Sequence, residues 1–197
     1  QTCALPISCY SSVDATGAPV VVLAEGVAVI TLLAALDIPA EDVETLQLAS
    51  TDGWTKSYAM SDYVTRTRYY FPQIVSGYDT ASEDPPEFVI GADEEKIPVV
   101  TLLALSSYEG RFETEPDAGK LSSAQGIRFC FGQTTITDQV STGYGKYITS
   151  LTLVLSADSA YTPPAATAAV ETSPDVATED DPGVPEDIEN AGIPADN

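Results

Sequence analysis

An Asp-Gly pair at 52–53, set between two extended runs, is the feature that most constrains this chain. Such a pair readily supplies the positive φ of a tight turn, which predicts an antiparallel hairpin. On its N-terminal side, Glu44-Thr-Leu-Gln-Leu-Ala-Ser50 alternates polar and apolar with the period of a half-buried strand. The hairpin sits inside a longer unit over residues 25–72. Val27, Ile30, Leu33 and Ala34 share a face at helical spacing, with Val29, Leu32 and Leu36 beside them, which predicts a largely buried helix. Asp37-Ile38-Pro39 stops it, because the residue before a proline is pushed out of the α region. Beyond the hairpin, Ser61 is placed to cap a short helix over 61–66. Tyr69-Tyr70-Phe71 then reads as an aromatic strand ended by Pro72.

The rest of the chain divides by composition. Gln1-Thr-Cys-Ala-Leu-Pro-Ile7 looks like a translated sequencing adapter, so residues 1–7 are set aside from the fold. Thr16-Gly17-Ala18-Pro19 is a turn feeding a strand over 20–23. Residues 73–93 form a long loop rich in Gly, Ser, Asp, Glu and Pro, and 113–123 form a second polar loop. The near-continuous apolar run 97–105 predicts one central strand entered through Pro98. Residues 126–131 predict a core strand with Ile127, Phe129 and Phe131 on one face and Arg128 and Cys130 on the other. A last strand follows over 147–155. Residues 8–156 thus make one domain. Residues 157–197 read as a self-repelling linker: from 158 onward there are ten Asp or Glu, six Pro and no Lys or Arg.

A net charge of −22 argues against nucleic acid, whose phosphates would be repelled, and disfavours an anionic membrane surface. No apolar run reaches the roughly 18–20 residues needed to span a bilayer. With no histidine, Ser-His-Asp and Cys-His catalysis are excluded, as are the ordinary His-containing zinc sites. The acidic runs Glu83-Asp84 and Asp93-Glu94-Glu95 read as solvated loop charges or, at no recognised spacing, as Ca²⁺ ligands.

The ordered set of a GV, an LL, a short loop, a strand, DGW, a strand, a helical turn and RYYFP resembles the molybdopterin-binding domain of the sulfite oxidase family. It is most similar to the divergent copies found in bacterial cell-surface proteins. Residues 103–108 and 128–133 resemble that group's later core strands, so the likeness covers roughly 9–155. It implies an α+β fold with a mixed β-sheet and a few short helices. It also implies that Cys9, ahead of the helix, takes the place of the cysteine whose thiolate ligates molybdenum. Read from the residues alone, Cys9 is equally a small packed side chain or half of a disulfide with Cys130. A pterin phosphate needs cations or a helix N-terminus to hold it. The eight basic residues are scattered, and only Arg66 and Arg68 lie close enough to meet an anion together, unless nearby acids offset them. Trp54, Tyr58, Tyr63, Tyr69, Tyr70, Tyr78 and Tyr108 suit either core packing or contacts to protein or glycan.

The reading that follows is an extracellular, non-catalytic binding or spacer domain of a bacterial surface protein. It would carry no cofactor, and its partner would be a protein or glycan at the cell surface. The alternative is a molybdenum-cofactor oxidoreductase of the sulfite oxidase type with Cys9 as metal ligand.

Overall fold

The Asp-Gly turn does close a hairpin in the computed structural model, which describes residues 5–79, 87–91, 95–111 and 116–162. Strands β3 (Val43–Ser50) and β4 (Thr55–Ala59) pair antiparallel from Thr45↔Ala59 to Ala49↔Thr55. Gly53 takes φ +86°, and the Asp52 carboxylate accepts from the Ser50 hydroxyl and, at 3.0 Å, from the Trp54 N–H. Strand β11 (Ile148–Leu155) lies on the other side of β3, giving the order β11-β3-β4. Irregularities between Ile148 and Ser150 and between Val154 and Leu155 interrupt its register. The first inserts a residue, which lets Ile148 and Leu151, three apart in sequence, both pack on the core.

A second sheet has the order β1-β2-β9-β10, from β1 (Ile7–Val13), β2 (Pro19–Ala28), β9 (Leu102–Arg111) and β10 (Arg128–Cys130). Two short ladders complete the framework: β5 (Arg68–Tyr70) with β8 (Ile97–Val99), and β6 (Val75–Asp79) with β7 (Glu87–Ile90). The architecture is therefore β-rich, with a few short helices, as an α+β reading requires. The sheets are not mixed: every strand pair among the described residues is antiparallel. Helix α1 spans only Val29–Ala35, shorter than the crossovers that join parallel strands.

Three further expectations change. Strand β2 runs on to Ala28 because β9 pairs with it along its whole length, so Val27 belongs to the strand rather than to the helix. Gly26 permits this: a Cβ there would stand 2.1 Å from the Leu103 carbonyl oxygen. The helix consequently buries only Val29 and Leu33, while Ile30 is 45% exposed and Leu36 50%. It ends at Leu36, followed by left-handed Asp37 at φ +54°. The apolar run 97–105 is not one strand. Val100 and Thr101 carry the chain from β8 into β9, where the Thr101 hydroxyl donates to the Tyr63 carbonyl and the Thr101 carbonyl accepts from Val29 N. Ser61 caps nothing. Residues Ser61–Thr65 make a single π-helical turn preceded by Met60, with no side-chain cap.

Part of the predicted loop 73–93 is the β6–β7 hairpin; residues 80–86 and 92–94 lie outside the described set, as do 112–115 of the second loop. In β10 both Arg128 and Cys130 are buried along with Phe129, and Ile127 is 38% exposed instead of joining the core face. Of the adapter-like stretch, residues 1–4 lie outside the described residues. Ile7 pairs with Glu25, and the Pro6 carbonyl accepts from Gly26 N. All described residues belong to one compact unit ending at Thr162; the remainder of the predicted linker, 163–197, lies outside them.

The main core joins Tyr10, Val20, Val22, Ala24, Leu102 and Ala104 of the four-stranded sheet to Leu46, Leu48, Tyr58 and Ile148 of the three-stranded one, with Val29 and Leu33 of α1. A smaller cluster of Val13, Val21, Tyr70, Phe71 and Ile74 covers the opposite face. Strand β2 is thus buried on both sides, which accounts for the unbroken apolar run Val20-Val-Val-Leu23.

Candidate functional site

Cys9 lies on edge strand β1, opposite Leu23, where it is half-buried and packs against the smaller apolar cluster. That burial pushes its thiol pKa upward. Cys130 is fully buried and is pushed up to about 12 by desolvation, with Glu109 adding to the rise and Arg128 opposing it. Neither cysteine forms a disulfide. The sheet order explains why: β2 and β9 stand between their strands, a separation of roughly 14 Å at ~4.8 Å per strand, far beyond disulfide reach.

The cations predicted to meet an anion are engaged elsewhere. Arg66 is exposed, 3.9 Å from Asp62. Arg68 is buried: its Nε donates to the Asp62 carbonyl at 2.7 Å and its Nη1 to the Gly132 carbonyl at 3.0 Å. Its guanidinium lies 4.5 Å from the Tyr63 ring centroid and 5.3 Å from that of Phe131. Arg66 and Arg68 therefore form no joint anion site.

The most concentrated electrostatics fall on residues that the sequence did not single out as a group. Arg128, 1% exposed, donates from Nη2 to Glu109 Oε2 at 2.6 Å and from Nη1 to Gln125 Oε1 at 3.3 Å, beside the Tyr144 ring. Lys146 Nζ meets the same Glu109 oxygen at 3.1 Å. Desolvation raises the Glu109 pKa, but Arg128 and Lys146 together outweigh it and hold the carboxyl below its ordinary value. Among the described residues, Arg128 Nε and Ser107 Oγ, both buried, have no hydrogen-bond partner. Nearby in sequence, buried Gln133 donates to the carbonyls of Ile136 and Asp138 and accepts from the Ser11 hydroxyl at 2.5 Å. Burial acts to raise the Asp138 pKa, and hydrogen bonds from Thr134 and Thr135 overcome it. Two threonines followed by an aspartate is the local signal for this last knot. Glu109 and Arg128 carry no comparable signal, being joined only by strand pairing.

The predicted contact aromatics are largely core. Tyr58 and Tyr70 are buried, while Trp54, Tyr63, Tyr69 and Tyr108 are half-buried. Tyr58, Tyr63, Phe129, Phe131 and Tyr144 form one ring cluster with neighbouring centroids 4.7–5.7 Å apart. The Tyr58 hydroxyl donates to the Gly143 carbonyl at 2.6 Å, and that of Tyr144 to Ser11 at 3.0 Å. The side chain of Tyr78 lies outside the described residues, as do Glu83, Asp84, Asp93 and Glu94. Among the described residues, no three His, Cys, Asp or Glu are grouped to hold a metal ion.

The donor set does not fit a molybdenum pyranopterin. Its one candidate thiol packs against an apolar cluster, and its two buried arginines face carbonyls, a carboxylate and rings inside the core. Among the grooves that the described residues form on the surface, two are the larger of those seen. One, of 380 Å³, crosses the outer face of β11-β3-β4; the other, of 260 Å³, lies between residues 64–67 and 98–100. Among the described residues, no helix is long and apolar enough to cross a membrane. Comparison of the chain with protein-family models, with curated proteins and with solved structures found no match in any of the three.

Proposed function

We propose that this unit is a non-catalytic binding or spacer module of a bacterial surface protein, derived from the sulfite oxidase-type molybdopterin-binding fold and working outside the cell. The observation that carries this reading is the use of Cys9, Arg68 and Arg128 as packing elements. Cations aimed at a phosphate would have to be free to meet it, whereas Arg68 and Arg128 are buried and hydrogen-bonded within the core, and Cys9 is half-buried against an apolar cluster. The charge of −22 supports a partner other than nucleic acid.

The test is the metal content of the full chain, purified from a host that makes the molybdenum cofactor. No molybdenum above background is expected. Tight, stoichiometric molybdenum would overturn the proposal in favour of an oxidoreductase.

A further inference from the structure

The outer face of the three-stranded sheet carries three cross-strand rows: Ser150–Ala49–Thr55, Thr152–Gln47–Ser57 and Val154–Thr45–Ala59. Strand alternation sends Leu46, Leu48 and Tyr58 into the core, so these nine residues point away from it. None is ionisable, in a chain with thirty acidic residues. Lys56 Nζ lies 5.5 Å over the ring of inward-facing Tyr58 and adds no charge to the outer rows. Gln47, Thr55, Ser57, Ser150 and Thr152 are exposed, and their side chains make no hydrogen bond among the described residues. Six of the nine line the 380 Å³ groove, a volume within the range of small-molecule and cofactor sites.

This face selects its occupant by chemistry. Hydroxyls and a carboxamide each donate and accept, and adjacent strands repeat them at about 4.8 Å. An anionic polymer meets a single cation at the groove, Lys56, whose Nζ is drawn over the inward-facing Tyr58 ring, and it is repelled by the chain as a whole. A cationic one would find its counter-charges elsewhere on the molecule. An extended peptide recognises the unpaired edge of a sheet, not a face whose backbone groups are already paired. An uncharged chain dense in hydroxyls matches both the hydrogen-bonding pattern and the absence of charge. We propose that the face built by Thr45, Gln47, Thr55, Ser57, Ser150 and Thr152 binds a neutral polysaccharide, which gives a ligand class to the surface-module reading on which it rests.

Affinity electrophoresis of the full chain through gels containing unsubstituted β-glucan, α-glucan, mannan or polygalacturonate tests this. At least one neutral polymer is expected to retard the protein, and polygalacturonate is not. Gln47→Ala/Thr152→Ala should weaken that retardation at least tenfold, with an unchanged unfolding midpoint because both residues are exposed. If that variant proves unstable, Ser57→Glu, which puts a carboxylate in the central row, supplies the same test. The proposal is overturned by no retardation in any neutral gel, by retardation that the variants retain, or by retardation in polygalacturonate alone. Molybdenum measured in the same preparation separates the two failures. A metal-free protein that ignores neutral glycans loses only this assignment, whereas stoichiometric molybdenum removes the module reading itself.

Discussion

Replacing Glu109 by alanine removes the only carboxylate, among the described residues, in contact with a guanidinium that is 1% exposed. Arginine does not deprotonate to escape such a site, so its charge stays buried. Among the described residues, what remains is Gln125 at 3.3 Å, the Tyr144 ring, and an Nε that already lacks a partner. Breaking a buried ion pair from one side costs about 3–5 kcal/mol. Glu109 is 27% exposed and Lys146 34%, so water can enter the gap, and the lower end, about 3 kcal/mol, is expected. For a chain of this size that corresponds to a fall in Tm of roughly 6–12 °C. The effect has a pH signature. The folded-state pKa of Glu109 is depressed, so its stabilisation is complete above the unfolded carboxyl value and is lost as pH falls through the folded one. Chemical denaturation of wild type and Glu109→Gln across the acid range should therefore give two curves that converge as pH drops. Adding Arg128→Met to Glu109→Gln should recover most of the loss, since a neutral, packed pair avoids the desolvation cost. A loss below about 1 kcal/mol for Glu109→Ala, or a difference that does not shrink in acid, would refute the reasoning.

Gly26→Ala should destabilise by about 3 kcal/mol or prevent folding, because its Cβ would fall 2.1 Å from the Leu103 carbonyl oxygen and 2.5 Å from the Ala104 Cα; the midpoint of urea unfolding reads this directly, and an unchanged midpoint would contradict the β2–β9 register. In a Cys3→Ser background, a thiol reagent at neutral pH should label Cys9 slowly and Cys130 only on unfolding, since burial pushes the Cys130 thiol up to about 12. Rapid labelling of both in the folded protein would place Cys130 outside the core.

Much of the hairpin region was legible in residue order, because its determinants are local. The turn follows from Asp52 and Gly53, whose carboxylate and φ act within three residues, and the alternation of residues 44–50 names the inward face before any partner is known. The same holds for the end of α1 ahead of Pro39. The failures share one cause. Whether Val27 belongs to a helix or a strand depends on β9, some 75 residues away, and on a glycine that lets the two backbones touch. The apolar run 97–105 looks continuous in sequence, but its two halves pair in different sheets, β8 with β5 and β9 with β2 and β10, and Ile97, Val100 and Leu105 stay exposed.

The candidate site divides the same way. Composition alone excluded histidine chemistry and set the charge that turns nucleic acid away. The role of each remaining cation needed the tertiary structure. Arg68 and Arg128 are indistinguishable in sequence from solvated arginines, and only strand pairing brings a carboxylate, carbonyls and rings around them. The uncharged outer face likewise exists only once β11 joins β3, because its three rows draw on residues about a hundred positions apart. Turn geometry and side-chain period act over a few bonds and can be read from residue order. Burial, counter-charges and the makeup of a shared face arise from pairings between distant segments, so only the folded chain decides them.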